Sequence, residues 1–176
     1  MILGLDISTS ITGATVVDEN GAVVMCKSWD TRNKNHYKDL FDKAETIRLE
    51  LVKLGHYHNI EKIYIEQSLQ SFRSGFSSAQ TLSTLSRFNG IVSWLCYKAL
   101  GSKPEYIAAS TARKMYGIKV PRGSKAKQVV LENVLDKEKG FVVEYTKNGN
   151  PKPDTFDRAD SLVIAKAGYI LWKEKS

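Results

Sequence analysis

The chain predicts an α/β fold, a five-stranded mixed sheet flanked by helices, and three patterns carry that expectation. Short strand-like runs crowd the first 28 residues, helical spacings then alternate with two more strand-like runs, and helices close the chain.

The first strands are expected at Ile2 to Ile7, Gly13 to Asp18 and Ala22 to Ser28. Glu19-Asn20-Gly21 supplies hairpin-turn chemistry between the last two, so the three read as an antiparallel meander. Leu40, Ala44, Ile47, Leu51 and Leu54 recur at spacings of four and three, one stripe of a helix that Gly55 is expected to stop. A strand follows from Glu61 to Glu66. Between Ser77 and Leu100 a long helix carries Leu82, Leu85, Phe88, Val92, Leu95 and Ala99 in one stripe, widened by Ile91 and Trp94. Such breadth implies burial on two sides. Pro104 to Ala108 is read as a fifth strand. Ser110 is expected to cap a short helix bearing Arg113 and Lys114, and Ser124 a helix reaching Leu135. Lys147-Asn148-Gly149-Asn150-Pro151-Lys152-Pro153 is a polar, helix-breaking loop, and the last helix runs from about Thr155 to Trp172.

The length of 176 residues, 42% hydrophobic content and mean hydropathy of −0.30 suit one domain over residues 1–176 that builds its core without disulfides. No window approaches the roughly 20 apolar residues of a membrane span, and the N-terminus lacks a signal pattern, so a soluble cytoplasmic protein with no membrane partner is expected. Cys26 and Cys96 have neither CxxC spacing nor nearby histidines, which excludes a zinc motif and leaves two reduced packing residues. His36, His56 and His58 read as solvated surface side chains.

Charge is concentrated. The chain carries a net +7, and from Lys98 to Lys127 alone there are eight basic residues against Glu105. That local patch of Lys98, Lys103, Arg113, Lys114, Lys119, Arg122, Lys125 and Lys127 is the kind that neutralises phosphates.

Acids stand where chemistry needs them. Asp157 and Asp160 lie three residues apart at the start of an apolar helical run and so share one helix face. An Asp there also favours the helix dipole, which alone would justify either residue. Asp6 and Glu66 end apolar strands, where an unpaired carboxylate is costly and calls for a cation or a hydrogen-bonding shell. Together the four are candidate ligands for hard cations, and beside a basic surface they point to a magnesium-dependent nuclease.

The order of elements, with acids on the first and fourth strands and the last helix, resembles the ribonuclease H-like fold, and within it the RuvC-type Holliday junction resolvases. Gly4-Leu5-Asp6-Ile7-Ser8-Thr9-Ser10-Ile11-Thr12-Gly13 is similar to that family's first-strand motif, and Ile65-Glu66-Gln67 to its strand-ending Glu-Gln. Arg87-Phe88-Asn89-Gly90 resembles the Gly-containing stretch of its long helix. Asp157-Arg158-Ala159-Asp160-Ser161-Leu162 resembles its terminal acidic motif.

This resemblance implies a structure-selective endodeoxyribonuclease that resolves four-way DNA junctions, with Asp6, Glu66, Asp157 and Asp160 catalytic and holding two Mg2+ ions, for which Mn2+ can substitute. It implies DNA contacts from Arg113, Lys114 and the Gly123 to Val129 region, including Lys125 and Lys127, while Lys119 and Arg122 are expected DNA contacts as members of the basic patch. The family's lysine stands two residues before Gln-Val, where this chain has Ala126, so Lys125 and Lys127 both remain open as the one that approaches the scissile phosphate. Leu69 occupies the family's frequently aromatic position, which leaves Phe72, beside the expected DNA contact Arg73, open either as a wedge against junction bases or as a core-packing side chain. A homodimer follows from symmetric cutting, with the 77–100 helix, whose apolar breadth equally suits ordinary core burial, as candidate interface, and the bacterial cytoplasm or a phage-infected host cell is the expected setting.

Other readings are a fork, flap or RNA–DNA hybrid nuclease of the same fold, or a non-catalytic branched-DNA binder. The Gly4 to Ser10 segment also looks like the first phosphate loop of actin-like ATPases and sugar kinases, but the chain has no second phosphate loop and is less than half their usual length.

Overall fold

The computed structural model of the chain describes residues 1–67 and 79–175, so Phe72 and Arg73 lie outside the described residues. Strands β1 (Ile2–Asp6), β2 (Ile11–Val17) and β3 (Val23–Asp30) form the expected meander, closed by Gly21 at φ 78°. The Asp18 carboxylate accepts the Asn20 and Ala22 N–H groups and fixes that turn. Strands β4 (Lys62–Glu66) and β5 (Glu105–Ile107) add in parallel on the other side of β1, which gives a mixed five-stranded sheet in the order β3-β2-β1-β4-β5. β1 is central, and Asp6 and Glu66 end neighbouring parallel strands at one edge of the sheet.

Alternation along these strands divides the core between the two faces. Leu3, Leu5, Ala14, Val16, Ile63 and Ile65 point to helices α1 (Leu40–Tyr57) and α2 (Ala79–Leu100). Ile2, Val17 and Tyr64 point to α3 (Ala109–Met115), α4 (Ala126–Lys137) and α5 (Pro153–Lys175).

Helix α5 lies unusually close to the sheet because three glycines leave room for it. A methyl group on Gly4 would come within 2.6 Å of the Ala165 Cα, one on Gly13 within 2.6 Å of the Asp157 carbonyl carbon, and one on Gly168 within 2.7 Å of the Tyr64 ring. Between them, buried Thr15 and Ser161 share a hydroxyl hydrogen bond of 2.8 Å. The height of Asp157 above β1 is thereby set by β2.

Several local expectations are corrected. α1 runs through Gly55 to Tyr57; that glycine makes a close approach, since a Cβ there would meet the Leu100 side chain at 2.8 Å. Neither Ser110 nor Ser124 caps a helix. α3 starts directly behind β5 with Ala108 in the cap position, and Lys125 precedes α4, because Gly123 at φ 84° completes a turn that ends with Ser124 bonded to the Pro121 carbonyl. The polar loop before α5 contains a small hairpin. Tyr145 bridges Pro151, and the Thr146 and Lys152 N–H groups donate to the carbonyls of Asn150 and Glu144. Trp94 is 60% exposed, so the second apolar side of α2 is uncovered.

Candidate active site

Asp6 leaves β1 into a turn held by Ser8, whose hydroxyl donates to the Ile11 carbonyl at 2.8 Å and accepts the Ser10 and Ile11 N–H groups. Glu66 is fixed by a relay: Tyr106 donates to Ser93 at 2.7 Å, Ser93 to the Asn89 carbonyl at 2.7 Å, and the Asn89 amide to the Glu66 carbonyl at 3.4 Å. Asn89 and Ser93 are buried polar residues one turn apart on an otherwise apolar helix face. That spacing was visible in the sequence, whereas their strand partner was not. Asp157 and Asp160 face the sheet edge from the second turn of α5.

Among the described residues, two cations form ion pairs with this group. Lys127 Nζ stands 3.2 Å from Asp157, and the Arg113 guanidinium 3.8 Å from Asp160, whose side chain is only 7% exposed. Lys127 is thus the lysine of α4 that reaches the acids, while Lys125 precedes the helix and is exposed. Lys114, Lys119 and Arg122 are exposed on the α3–α4 flank.

Burial is the first cause of raised proton affinity at all four acids. The Asp6 carboxyl is pushed well above the usual carboxylate range by burial, then by Glu66, Asp160 and Asp157, with Lys127 opposing. Glu66 is pushed up to about 7 by burial and by Asp160, against Arg113 and Lys127. Asp157 and Asp160 are raised by burial and held back chiefly by Lys127. Burial alone would lower the Lys127 ammonium, but Asp157, Asp160 and Asp6 outweigh it and raise its pKa. Concentrated negative charge with too few cations is the electrostatic condition that a bound dication relieves.

As placed, the side chains are not a finished coordination shell: among the described residues no three His, Cys, Asp or Glu side chains stand together closely enough to hold an ion. The donor chemistry nonetheless suits a hard cation, with four carboxylates and neither thiolate nor imidazole among them. Burial pushes the Cys96 thiol up to about 12 and also raises Cys26, so neither is a poised nucleophile.

This arrangement of strands and helices recurs in solved structures. RuvC from Thermus thermophilus in complex with a Holliday junction substrate superposes with a TM-score of 0.66 at 14% identity, over 98% of this chain and 94% of that one. The fold is that of RuvC. A second structure of RuvC from Thermus thermophilus gives 0.62 at 17% identity over 98% and 96%. The yeast mitochondrial Holliday junction resolvase Ydc2 gives 0.62 at 15% identity over 99% of this chain and 79% of that one. No protein-family model and no curated protein matches the sequence. In this fold the chain's four acids stand at the ends of β1 and β4 and on α5. No described helix is long and apolar enough to cross a membrane.

Proposed function

We propose that this chain is a divalent-metal-dependent endodeoxyribonuclease that cuts branched DNA, four-way junctions above all, by phosphodiester hydrolysis. The gathering of Asp6, Glu66, Asp157 and Asp160 into one mutually repelling group beside Lys127 carries this reading. The same four residues would hold two Mg2+ ions, or Mn2+ in their place, which when bound supply Lewis-acid activation of water and of the leaving 3′ oxygen. Lys127 neutralises the acids and meets the scissile phosphate, and Arg113 holds Asp160 in position. Lys114, Lys119, Arg122 and Lys125 grip the DNA backbone on the adjoining flank, with Phe72 and Arg73 as further contacts. Clustered carboxylates that are not fully neutralised burden a protein that only binds a polyanion, which speaks against a binder without catalysis.

Paired cutting of a junction needs two sites related by a twofold axis, so the active form is a homodimer. An apolar cleft of about 860 Å³ between α1 and α2, with Phe41 75% and Trp94 60% exposed around Gly90, suits a second copy. Arg87 lies in the same cleft as Asp42 and Glu45, so the surface is complementary to itself in charge.

The test incubates the protein with labelled four-way junction, Y-fork, linear duplex and RNA–DNA hybrid, with magnesium or EDTA, alongside Asp6→Asn and Asp160→Asn. Paired symmetric nicks with 5′ phosphate ends, dependent on magnesium and absent in both variants, are expected. Cleavage confined to forks or hybrids would change the substrate, and undiminished cleavage by either variant would remove these acids from catalysis.

A further inference from the structure

The cations assigned to DNA within the described residues lie on one side of the acids, on α3, α4 and their connection. The opposite flank is the end of β3. Because β1 and β3 are each antiparallel to β2, they run in the same direction, and β3 delivers its C-terminal end to the edge that carries Asp6.

The loop leaving β3 contains Arg32, Lys34, His36, Tyr37 and Lys38 with no acid between Asp30 and Asp39. Its base is tied to the turn that follows Asp6. The Thr31 N–H donates to the Ser10 carbonyl at 2.8 Å, its hydroxyl reaches the Thr9 and Ser10 carbonyls at 3.3 and 3.2 Å, and Lys43 donates to the Thr9 carbonyl. Asp30, Arg32, Asn33, His36 and Tyr37 line a cleft of about 560 Å³, a volume typical of small-ligand pockets. The His36 and Tyr37 rings meet edge to face, 6.4 Å apart. Arg32 forks onto Asp30 through Nε and Nη2, which leaves Nη1 outside the pair on a side chain 50% exposed. Its pKa is raised first by those bonds to Asp30 and further by Asp154 and Asp157, so the guanidinium lies within electrostatic reach of the α5 acids.

We propose that this loop is a second nucleic-acid subsite, in which Arg32 takes a backbone phosphate beyond the scissile bond and His36 and Tyr37 stack one unpaired base of the same strand. A strand laid across the sheet edge from Lys127 toward β3 would meet this flank. Aromatic faces beside a guanidinium are the chemistry that holds a splayed nucleotide without reading its sequence. The inference rests on the DNA-cleaving reading and adds to it a preference for unpaired bases. If the Asp30–Arg32 pair only stabilised the turn, removing it would change melting and leave DNA affinity alone.

The test measures binding of a fluorescent four-way junction with unpaired bases at its crossover and of a fully paired duplex, in EDTA across a salt series, with unfolding of each variant followed in parallel. Tyr37→Ala is expected to weaken junction binding about tenfold with little effect on duplex, and Tyr37→Phe to restore it. Arg32→Ala should flatten the dependence of log K on log salt by about 0.7–0.9, as expected for one lost phosphate contact. Asp30→Asn should tighten binding by freeing the guanidinium, and Lys173→Ala, at the far end of α5, should change nothing. Unchanged affinity and salt slope in both Arg32→Ala and Tyr37→Ala, with wild-type protein binding the junction, would overturn the subsite alone. Failure of the wild type to bind any DNA would overturn the subsite together with the nuclease reading.

Discussion

Glu66→Gln is expected to stabilise the metal-free protein at alkaline pH while abolishing cleavage. Glu66 has an ordinary midpoint of 4.5 and is pushed up to about 7 in the folded chain, first by burial and then by Asp160. The folded state therefore binds this proton more tightly than the unfolded state. Below about pH 4.5 both states are protonated and the carboxyl costs no stability. Between there and about pH 7 the unfolded state ionises first, and stability falls by about 1.4 kcal/mol per pH unit. Above about pH 7 the full penalty of about 3 kcal/mol remains, which for a chain of this size corresponds to about 6–12 °C in melting temperature. Glutamine keeps the shape, cannot ionise, and removes the penalty. The assay is thermal or urea unfolding of both proteins in EDTA at pH 5 and pH 8. A large gain at pH 8 that shrinks at pH 5 is expected, and added magnesium should raise the wild type more than the variant. An equal difference at the two pH values, or a variant less stable at pH 8, would refute the electrostatic account of this site.

Three further outcomes follow from the geometry. Gly13→Ala should cost about 1–3 kcal/mol in urea unfolding and reduce cleavage, because the new methyl meets the Asp157 carbonyl and drives α5 off the sheet. Lys127→Ala should lower the rate of junction cleavage by about 100-fold, a typical cost of losing one charge-stabilising donor. The same substitution should raise the proton affinity of Asp157 and Asp160, which NMR titration of their carboxyl groups would read directly. Trp94→Glu should convert the proposed dimer to a monomer in sedimentation velocity with little change in melting temperature, since that ring is already exposed.

Much of the fold was legible because its signals are local. The meander, the α1 stripe from Leu40 to Leu54 and the strand ending at Glu66 follow from residue spacing, and each is found within a few residues of its expected place. The failures are also local, with a common cause. Ser110 and Ser124 have the right chemistry for caps, yet the distance from β5 to α3 and the turn at Gly123 decide where each helix begins. Gly55 looked like a stop signal because packing of α1 against Leu100, which demands the missing side chain, cannot be seen along the chain. The hairpin at Tyr145 and Pro151 rests on a single bridge between residues with no strand-like run around them.

The sequence by itself determined which residues are acidic, which are basic, and that Asp6 and Glu66 end buried strands, since burial pattern and charge are properties of short segments. Only the tertiary structure decided that Lys127, rather than Lys125, reaches the acids, and that Arg113 turns toward Asp160. It alone placed the Arg32 loop on the open flank and showed that Gly13 sets the height of Asp157. These facts join residues from separate elements, and what brings them together is the packing of α5 on a twisted sheet, an energy summed over the whole core and encoded in no single stretch of chain.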